Sequence, residues 1–485
     1  MNILTKDECD RLMSEGKQHY DAGRVFQAID CLKKIILLEH GHLGARSALI
    51  SCYGLVGEMT LLIGILRDTA DLYPAALPYT SAYLFCLNYF NVSRAVRLSE
   101  HRKMMVRVEK EILAKAPPKL IEPTGRKLRI GYVSGDFREH SCAYLTFPLL
   151  RNHNRNEFDI YLYSNNPDND RKTEEFHRLG EWRDIRTTPD AEAARIVRQD
   201  KIDILVDLSG HTIAGRTSLF FHRPAPIQIS WYGYLNTIGT VAIPYRITDP
   251  FLSPENANNE QWYVEKLLRI PRSFLYEPPL MIPPVAAAPY SRNGFFTFGA
   301  LHNIKKVSDD TLDLWCEILK ATPRSKILVS TEFGGDIETV LRKRFAERGV
   351  GPTQLIMAKD EPIEQFFSFF ERIDLMLDTF PYTSGVSAMH GIWMGTPTLT
   401  IEGDTELGRN CAAVNRSYGI PEYVAPTKEE FISRAIAFAS NPSSLTEFRR
   451  TCRLKPVVDN SAVVRSLELL YRTLTQGQFT AESSH

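Results

Sequence analysis

The chain has 485 residues, with 58 Lys and Arg balancing 58 Asp and Glu, 44% hydrophobic and 24% charged residues. That describes a globular chain able to bury several cores, about three domains of ordinary size. With no cationic excess, nothing global favours phosphate-backbone binding, and a nucleic-acid partner is not expected.

The N-terminus, Met1 to Asp10, lacks the apolar core of a secretory signal. No run approaches the ~18 consecutive apolar residues of a membrane span. Eight cysteines (Cys9, Cys31, Cys52, Cys86, Cys142, Cys316, Cys411, Cys452) are scattered without a CxxC pair. Buried thiols in a reducing compartment are expected, and a cytoplasmic protein without membrane contact.

Up to Pro117-Pro118 the pattern is helical. Leu12, Gly16, Tyr20, Gly23, Ala28, Leu32 and Ile36 recur at three- and four-residue spacings, and a related pattern runs from Ala45 to Tyr73. The two units sit near the ~34-residue period of a tetratricopeptide helix pair, with small residues at close crossings and Tyr20 as packing aromatic. A further helical stretch spans Ala82 to Val106. Such a small number of repeats seldom stands alone, and residues 1–117 are expected to pack on the next domain of the chain.

From Lys127 the period changes. Short apolar runs at Leu128–Ser134, Phe158–Ser164, Ile204–Ser209, Ile227–Gly233 and Tyr245–Thr248 each lead into a polar turn and a helical pattern. A proline-rich linker occupies 277–288. The alternation then resumes at Phe295–Ala300, Lys326–Ser330, Leu355–Met357, Leu375–Asp378 and Thr398–Ile401. Strands alternating with helices imply a parallel sheet covered on both faces. The expected fold is α/β: two doubly wound, Rossmann-like domains, 118–285 and 286–475, facing a cleft, with a helical region before them and a disordered tail at 476–485.

In such sheets ligands bind beyond the carboxyl ends of the strands. Polar residues gather there: Gly135 to His140, Gly210-His211-Thr212, Tyr232-Gly233-Tyr234, and His302-Asn303-Ile304-Lys305-Lys306. The segment Pro381 to Gly395 places a proline, hydroxyl residues and Gly385 before a helix starting near Val386. Free N–H groups and the positive end of the helix dipole make that a ready anion site, with Thr383, Ser384 and Ser387 as added donors. Lys306, at another strand end of the same domain, supplies the charge that a departing diphosphate requires. There is no P-loop and no GxGxxG after the first strand, which disfavours P-loop phosphotransfer and nicotinamide redox chemistry. Asp168-Asn169-Asp170 has acid-x-acid spacing but the composition of a solvated turn, and no metal site is expected. His140 reads as a base, a donor-phosphate contact or a turn residue. His211 reads as a site or core histidine; His390, one turn into the phosphate helix, can face the ligand; His302 points inward.

These residues resemble the O-GlcNAc transferase/SPINDLY glycosyltransferases in their short bacterial form. The resemblance is carried by Leu-Arg-Ile-Gly-Tyr-Val-Ser-Gly-Asp-Phe-Arg-Glu-His (128–140), Asp-Ile-Leu-Val-Asp-Leu-Ser-Gly-His-Thr (203–212) and Arg-Pro-Ala-Pro-Ile-Gln-Ile-Ser-Trp-Tyr-Gly-Tyr (223–234). Leu-Asp-Thr-Phe-Pro-Tyr-Thr-Ser-Gly (377–385) and Trp-Met-Gly-Thr-Pro-Thr-Leu-Thr (393–400) complete it.

The resemblance implies a GT-B fold and metal-independent, inverting transfer of a sugar, GlcNAc from UDP-GlcNAc, to side chains of an acceptor protein, without a cofactor. UDP-glucose and GDP-fucose are alternative donors. It places His140 and Lys306 as catalytic residues, and Asn303, Gly385, Val386, Ser387 and His390 at the donor; His211 and Ser384 join the donor-binding candidates by their place at a strand end and at the helix start. The pattern departs at Phe366, where the family carries a histidine, at Ile363 and Phe369 in place of basic residues, at Val386-Ser387 for a Thr-Thr pair, and at Pro244 for an aspartate. Those departures admit a second reading, a catalytically decayed repeat scaffold. A third, a nucleotide-sugar epimerase, shares the two-domain fold but needs no helical repeats. A homodimer through the short repeat region is also compatible with the sequence.

Overall fold

The computed structural model describes residues 6–110, 126–279, 283–331, 336–359, 366–454 and 456–476. The break at Pro117-Pro118, residues 280–282 of the linker, Ile363 and the tail beyond Gln476 lie outside the described residues.

Six helices open the chain: α1 (Lys6–Asp21), α2 (Val25–Leu38), α3 (Leu43–Val56), α4 (Met59–Leu72), α5 (Leu77–Cys86) and α6 (Arg94–Glu109). Successive members of α1–α5 pack on one another, as stacked helix pairs do. Gly16 sits where a Cβ would lie 3.6 Å from Cys31 and Leu32, so it is the small residue at the α1–α2 crossing. Tyr20 does not pack as the sequence suggested: it is 39% exposed, and Leu12, Ile29, Leu32 and Ile35 fill the seam instead. None of the helices formed by described residues is long and apolar enough to cross a membrane.

Two all-parallel sheets come next. The first holds β1 (Leu128–Ser134), β2 (Phe158–Ser164), β3 (Glu181–Asp184), β4 (Ile204–Asp207), β5 (Ile227–Ser230), β6 (Tyr245–Thr248) and β7 (Lys266–Arg269), in the order β3-β2-β1-β4-β5-β6-β7. The second holds β8 (Thr297–Ala300), β9 (Lys326–Thr331), β10 (Leu355–Lys359), β11 (Leu375–Leu377), β12 (Thr398–Ile401) and β13 (Val424–Ala425), in the order β10-β9-β8-β11-β12-β13. Each order reverses once, between β1 and β4 and between β8 and β11. These are the topological switch points where doubly wound sheets bind ligands. The two-sheet plan after a helical region is that of a GT-B-type fold.

Three strands carry no sequence signal, and all three are sheet edges: β3, β7 and β13. An edge strand pairs on one side only, so it needs no continuous apolar run. Glu181–Asp184 is half-exposed along its length, whereas β4 and β5 are buried at every residue.

The chain divides into two compact units. One comprises the first sheet, residues 92–280, together with 405–407 and 456–485. The other comprises residues 1–91, 281–404 and 408–455. Helices α1–α5 therefore share a unit with the second sheet, and α6 alone joins the sheet that directly succeeds it.

Candidate active site

In the second-sheet unit, the turn after β8 and the loop after β11 flank the switch point. Asn303 opens the 3-10 turn Ile304–Lys306, its side-chain oxygen accepting the Lys305 N–H at 3.0 Å. The Lys306 ammonium lies 4.1 Å from the centroid of the Tyr382 ring. Burial lowers the Lys306 pKa to about 8, against the opposing attraction of Asp378.

Asp378, just beyond β11, organises the other loop. Its Oδ1 accepts from the Thr379 N–H at 2.9 Å and from the Ser384 N–H and hydroxyl at 2.9 and 2.7 Å; its Oδ2 accepts from the Thr400 hydroxyl at 2.6 Å. The Ser384 hydroxyl therefore points inward and is not the outward anion donor that the sequence suggested. Thr383 is likewise buried, and its Oγ1 accepts the Cys411 N–H at 3.3 Å. Gly385, Val386 and Ser387 stay partly accessible.

The helix Val386–Trp393 starts at Gly385 with no side chain capping it, so its first N–H groups and dipole end are presented by backbone alone. A Cβ added at Gly385 would lie 2.4 Å from Asn410 Nδ2, so a larger residue there displaces the Asn410 amide. His390 is buried, 4.7 Å by ring centroids from Phe367 and 6.2 Å from Phe366. That apolar burial drives its pKa down to about 3, so it is a neutral ring supporting the helix from behind. His302 is also internal, with Nε2 donating to the Leu377 carbonyl at 2.9 Å.

In the first-sheet unit, the turn after β1 carries His140. The turn is tight: a Cβ at Gly135 would meet that of Ala214 at 2.0 Å. Asn166 ties down Phe137 with two hydrogen bonds, at 3.0 and 2.8 Å. Asp170, the last residue of the acid-x-acid segment, is a helix cap: it accepts the Thr173 N–H at 2.9 Å and the Glu139 N–H at 2.7 Å. His140 is about one-third exposed, with Nδ1 3.4 Å from Asp136 Oδ1. The Cys142 N–H donates to the same Nδ1 at 3.2 Å, so in the neutral ring the proton sits on Nε2, the outer nitrogen. His140 is thereby set up to donate a hydrogen bond. Asp136, His140 and Cys142 are close enough to share a metal ion, the one such group among the described residues.

His211, beyond β4, is buried inside this unit. Its Nε2 donates to the Ile238 carbonyl at 2.9 Å and its ring packs edge-on to Tyr234 at 5.0 Å. Burial takes its pKa down to about 4. Beside it, His101 of α6 bonds the Tyr234 hydroxyl at 2.6 Å.

Sequence reasoning passed over Asp378 and Tyr382 as site residues. Both stood inside quoted motifs, and the signal available for Asp378 was its place at the carboxyl end of a switch-point strand.

Comparison with known proteins agrees with this plan. The family model described as glycosyl transferase family 41 matches residues 62–280 and 293–461. The chain is 34% identical over 369 residues to the SPINDLY protein of Solanum lycopersicum, described as a probable UDP-N-acetylglucosamine–peptide N-acetylglucosaminyltransferase; the match covers 72% of this chain and 39% of that one. Over 365 residues it is 28% identical to the Arabidopsis thaliana SEC protein of the same description, covering 71% and 37%. The chain thus spans about two-fifths of the length of these curated relatives. Among solved structures, a mutant of the Thermobaculum terrenum O-GlcNAc transferase superposes with a TM-score of 0.86 at 28% identity, covering 99% of this chain and all of that one. With both sheets, both switch points and the motif loops inside the matched residues, the chain belongs to glycosyl transferase family 41, the family of the O-GlcNAc transferases and SPINDLY proteins.

Proposed function

We propose that this chain is an inverting, metal-independent protein glycosyltransferase that moves GlcNAc from UDP-GlcNAc to side chains of an acceptor protein, acting in the cytoplasm. The observation that carries the reading is the pairing of Lys306 with the uncapped helix start at Gly385 around Asp378. A cation and a helix N-terminus on adjoining loops suit a diphosphate, whose charge grows as it departs. In a single displacement the acceptor oxygen attacks the anomeric carbon, the bond from that carbon to the diphosphate oxygen breaks, and the acceptor proton passes to water. Lys306 and the N–H groups of Gly385, Val386 and Ser387 take up the leaving charge. Asn303 shapes the lysine turn, while Ser384 and His390 hold the phosphate loop and helix in place.

His140 is proposed to meet the donor as a hydrogen-bond donor through Nε2, with His211 maintaining the frame of the same unit. The domain division 1–117, 118–285 and 286–475 is part of this proposal, with the helical region guiding the acceptor.

The test is thermal unfolding of wild type and Lys306→Ala with UDP, with GDP and without nucleotide. A ligand at a hundred times its dissociation constant stabilises by about 2.7 kcal/mol. Stabilisation by UDP that is lost in Lys306→Ala supports the reading. Stabilisation by GDP alone transfers it to a GDP-sugar, and none by either nucleotide at millimolar concentration overturns the transferase reading.

A further inference from the structure

The helices of the N-terminal region reach the turn that carries Lys306. Were Gly54 in α3 to carry a Cβ, that atom would lie 3.0 Å from Lys305 Cε and 3.3 Å from its Nζ. At Gly57, the left-handed residue (φ +71°) that ends α3, a Cβ would lie 3.3 Å from Ile304 Cγ1. Two residues of the Ile304–Lys306 turn are thus seated against the C-terminal end of one repeat helix.

A second contact comes from the next helix pair. Tyr89, in the 3-10 turn after α5, stacks on Tyr382 with ring centroids 5.2 Å apart and planes 25° apart. Phe85 of α5 lies 5.8 Å from Tyr89 and 6.2 Å from Tyr382. Tyr382 is the ring over which the Lys306 ammonium sits, at 4.1 Å. A chain of contacts therefore runs from α5 through Tyr89 and Tyr382 to Lys306, and another from α3 through Gly54 to Lys305.

We propose that Tyr89 and Gly54 are positioning residues for Lys306, so that the helical region is a structural part of the donor-diphosphate site as well as a surface for acceptors. The inference rests on the reading of Lys306 as a diphosphate contact. Its physical basis is entropic: a long ammonium side chain has many rotamers, and a stacked ring that holds it over one face removes most of them before the ligand arrives. Tyr89 supplies no contact to the donor; it fixes the ring that fixes the lysine.

Isothermal titration of the full chain with UDP, together with donor and acceptor KM values, tests this in Tyr89→Ala, Tyr89→Phe, Gly54→Ala and Lys306→Ala. The expected result is a threefold to tenfold weaker UDP affinity in Tyr89→Ala, on the scale of about one cation–aromatic contact. Affinity should return in Tyr89→Phe, which keeps the stacked ring. Donor KM should rise in Tyr89→Ala while acceptor KM stays unchanged, a split that general destabilisation does not produce. Gly54→Ala, which forces Lys305 to move without touching the aromatic stack, should weaken UDP by an independent route. Unchanged UDP affinity in both Tyr89→Ala and Gly54→Ala, with binding lost in Lys306→Ala, overturns the positioning role and leaves the donor site standing. Unchanged affinity in Lys306→Ala overturns the donor site itself.

Discussion

The Ser384 hydroxyl donates to Oδ1 of Asp378 at 2.7 Å, and the N–H of the same serine reaches the same oxygen at 2.9 Å. One carboxylate thus pins the residue before the helix start at Gly385, and its other oxygen holds Thr400. Asp378→Asn keeps the shape but replaces an acceptor-only group with one that must also place two donors in a site already filled with donors. The expected cost is about 1–3 kcal/mol of stability, with weaker UDP binding because Gly385 and Val386 lose their fixed position. Chemical denaturation and titration with UDP read both. Unaltered UDP affinity would show that the loop keeps its shape without the carboxylate.

Lys306 sets a pH dependence whose sign differs for binding and for stability. With its pKa lowered to about 8, the ammonium is present at pH 7 and largely lost by about pH 9.5. UDP binding should weaken across that interval, by at most about tenfold per pH unit. Unliganded stability should move the other way: between about 8 and the ordinary 10.5 the unfolded chain holds more protons, so stability rises with pH there. Lys306→Arg keeps its charge throughout and should flatten both curves. Titrations with UDP and urea melts from about pH 7 to 10 check the two signs separately.

Much of this site was legible because switch-point strands are central strands. β1, β4, β8 and β11 are buried apolar runs, and the polar residues that end them, Gly135 to His140, His211, Asn303 to Lys306 and Ser384 to His390, stand out against that background. What the pattern does not encode is which way a polar side chain turns. Ser384 and Ser387 look alike in sequence, yet one faces Asp378 and the other remains partly accessible. His211 and His140 both come after a Ser-Gly or Gly-Asp turn, and only His140 reaches the surface. The partners that decide these orientations, Ile238 for His211 and Asn166 for the His140 turn, are tens of residues away and carry no local signature.

In the first-sheet unit Arg246 and Glu406 form a fully buried ion pair whose loss should be costly. Arg246 donates from Nε and Nη2 to Glu406 Oε2 at 2.8 and 2.7 Å, while Glu406 Oε1 accepts from Thr248 and Ser253 at 2.5 and 2.8 Å. Both side chains are 1% exposed. Glu406→Ala strands the guanidinium in a low-dielectric interior, and removing one partner of such a pair typically costs about 3–5 kcal/mol. Glu406→Gln, which keeps an acceptor for the two hydroxyls, should cost less. Denaturant melts of the two variants give the comparison; equal midpoints would show that the charge, and not the hydroxyl bonds, carries the interaction.

Phe366 stands where the family pattern places a histidine, and it is a partly buried member of the aromatic cluster that includes Phe367, Phe369 and Phe370. Its ring lies 6.2 Å from that of His390, in the helix whose start is the proposed phosphate site. Phe366→His trades packing for a titratable donor, and the two consequences have opposite signs. Stability should fall by about 1–3 kcal/mol, below the roughly 3–5 kcal/mol for truncating a fully buried aromatic, because the residue is only partly buried. UDP affinity should rise by about tenfold at about pH 5, below the ordinary imidazole range that partial burial lowers, a gain of the size of one charge-assisted hydrogen bond. The gain should shrink by about pH 8 as that charge is lost. Titration with UDP at these two pH values, beside melts under the same conditions, separates the effects. A loss of stability with no change in affinity at either pH would place the diphosphate out of reach of this position, and the apolar residue would then be a packing feature of the unit alone.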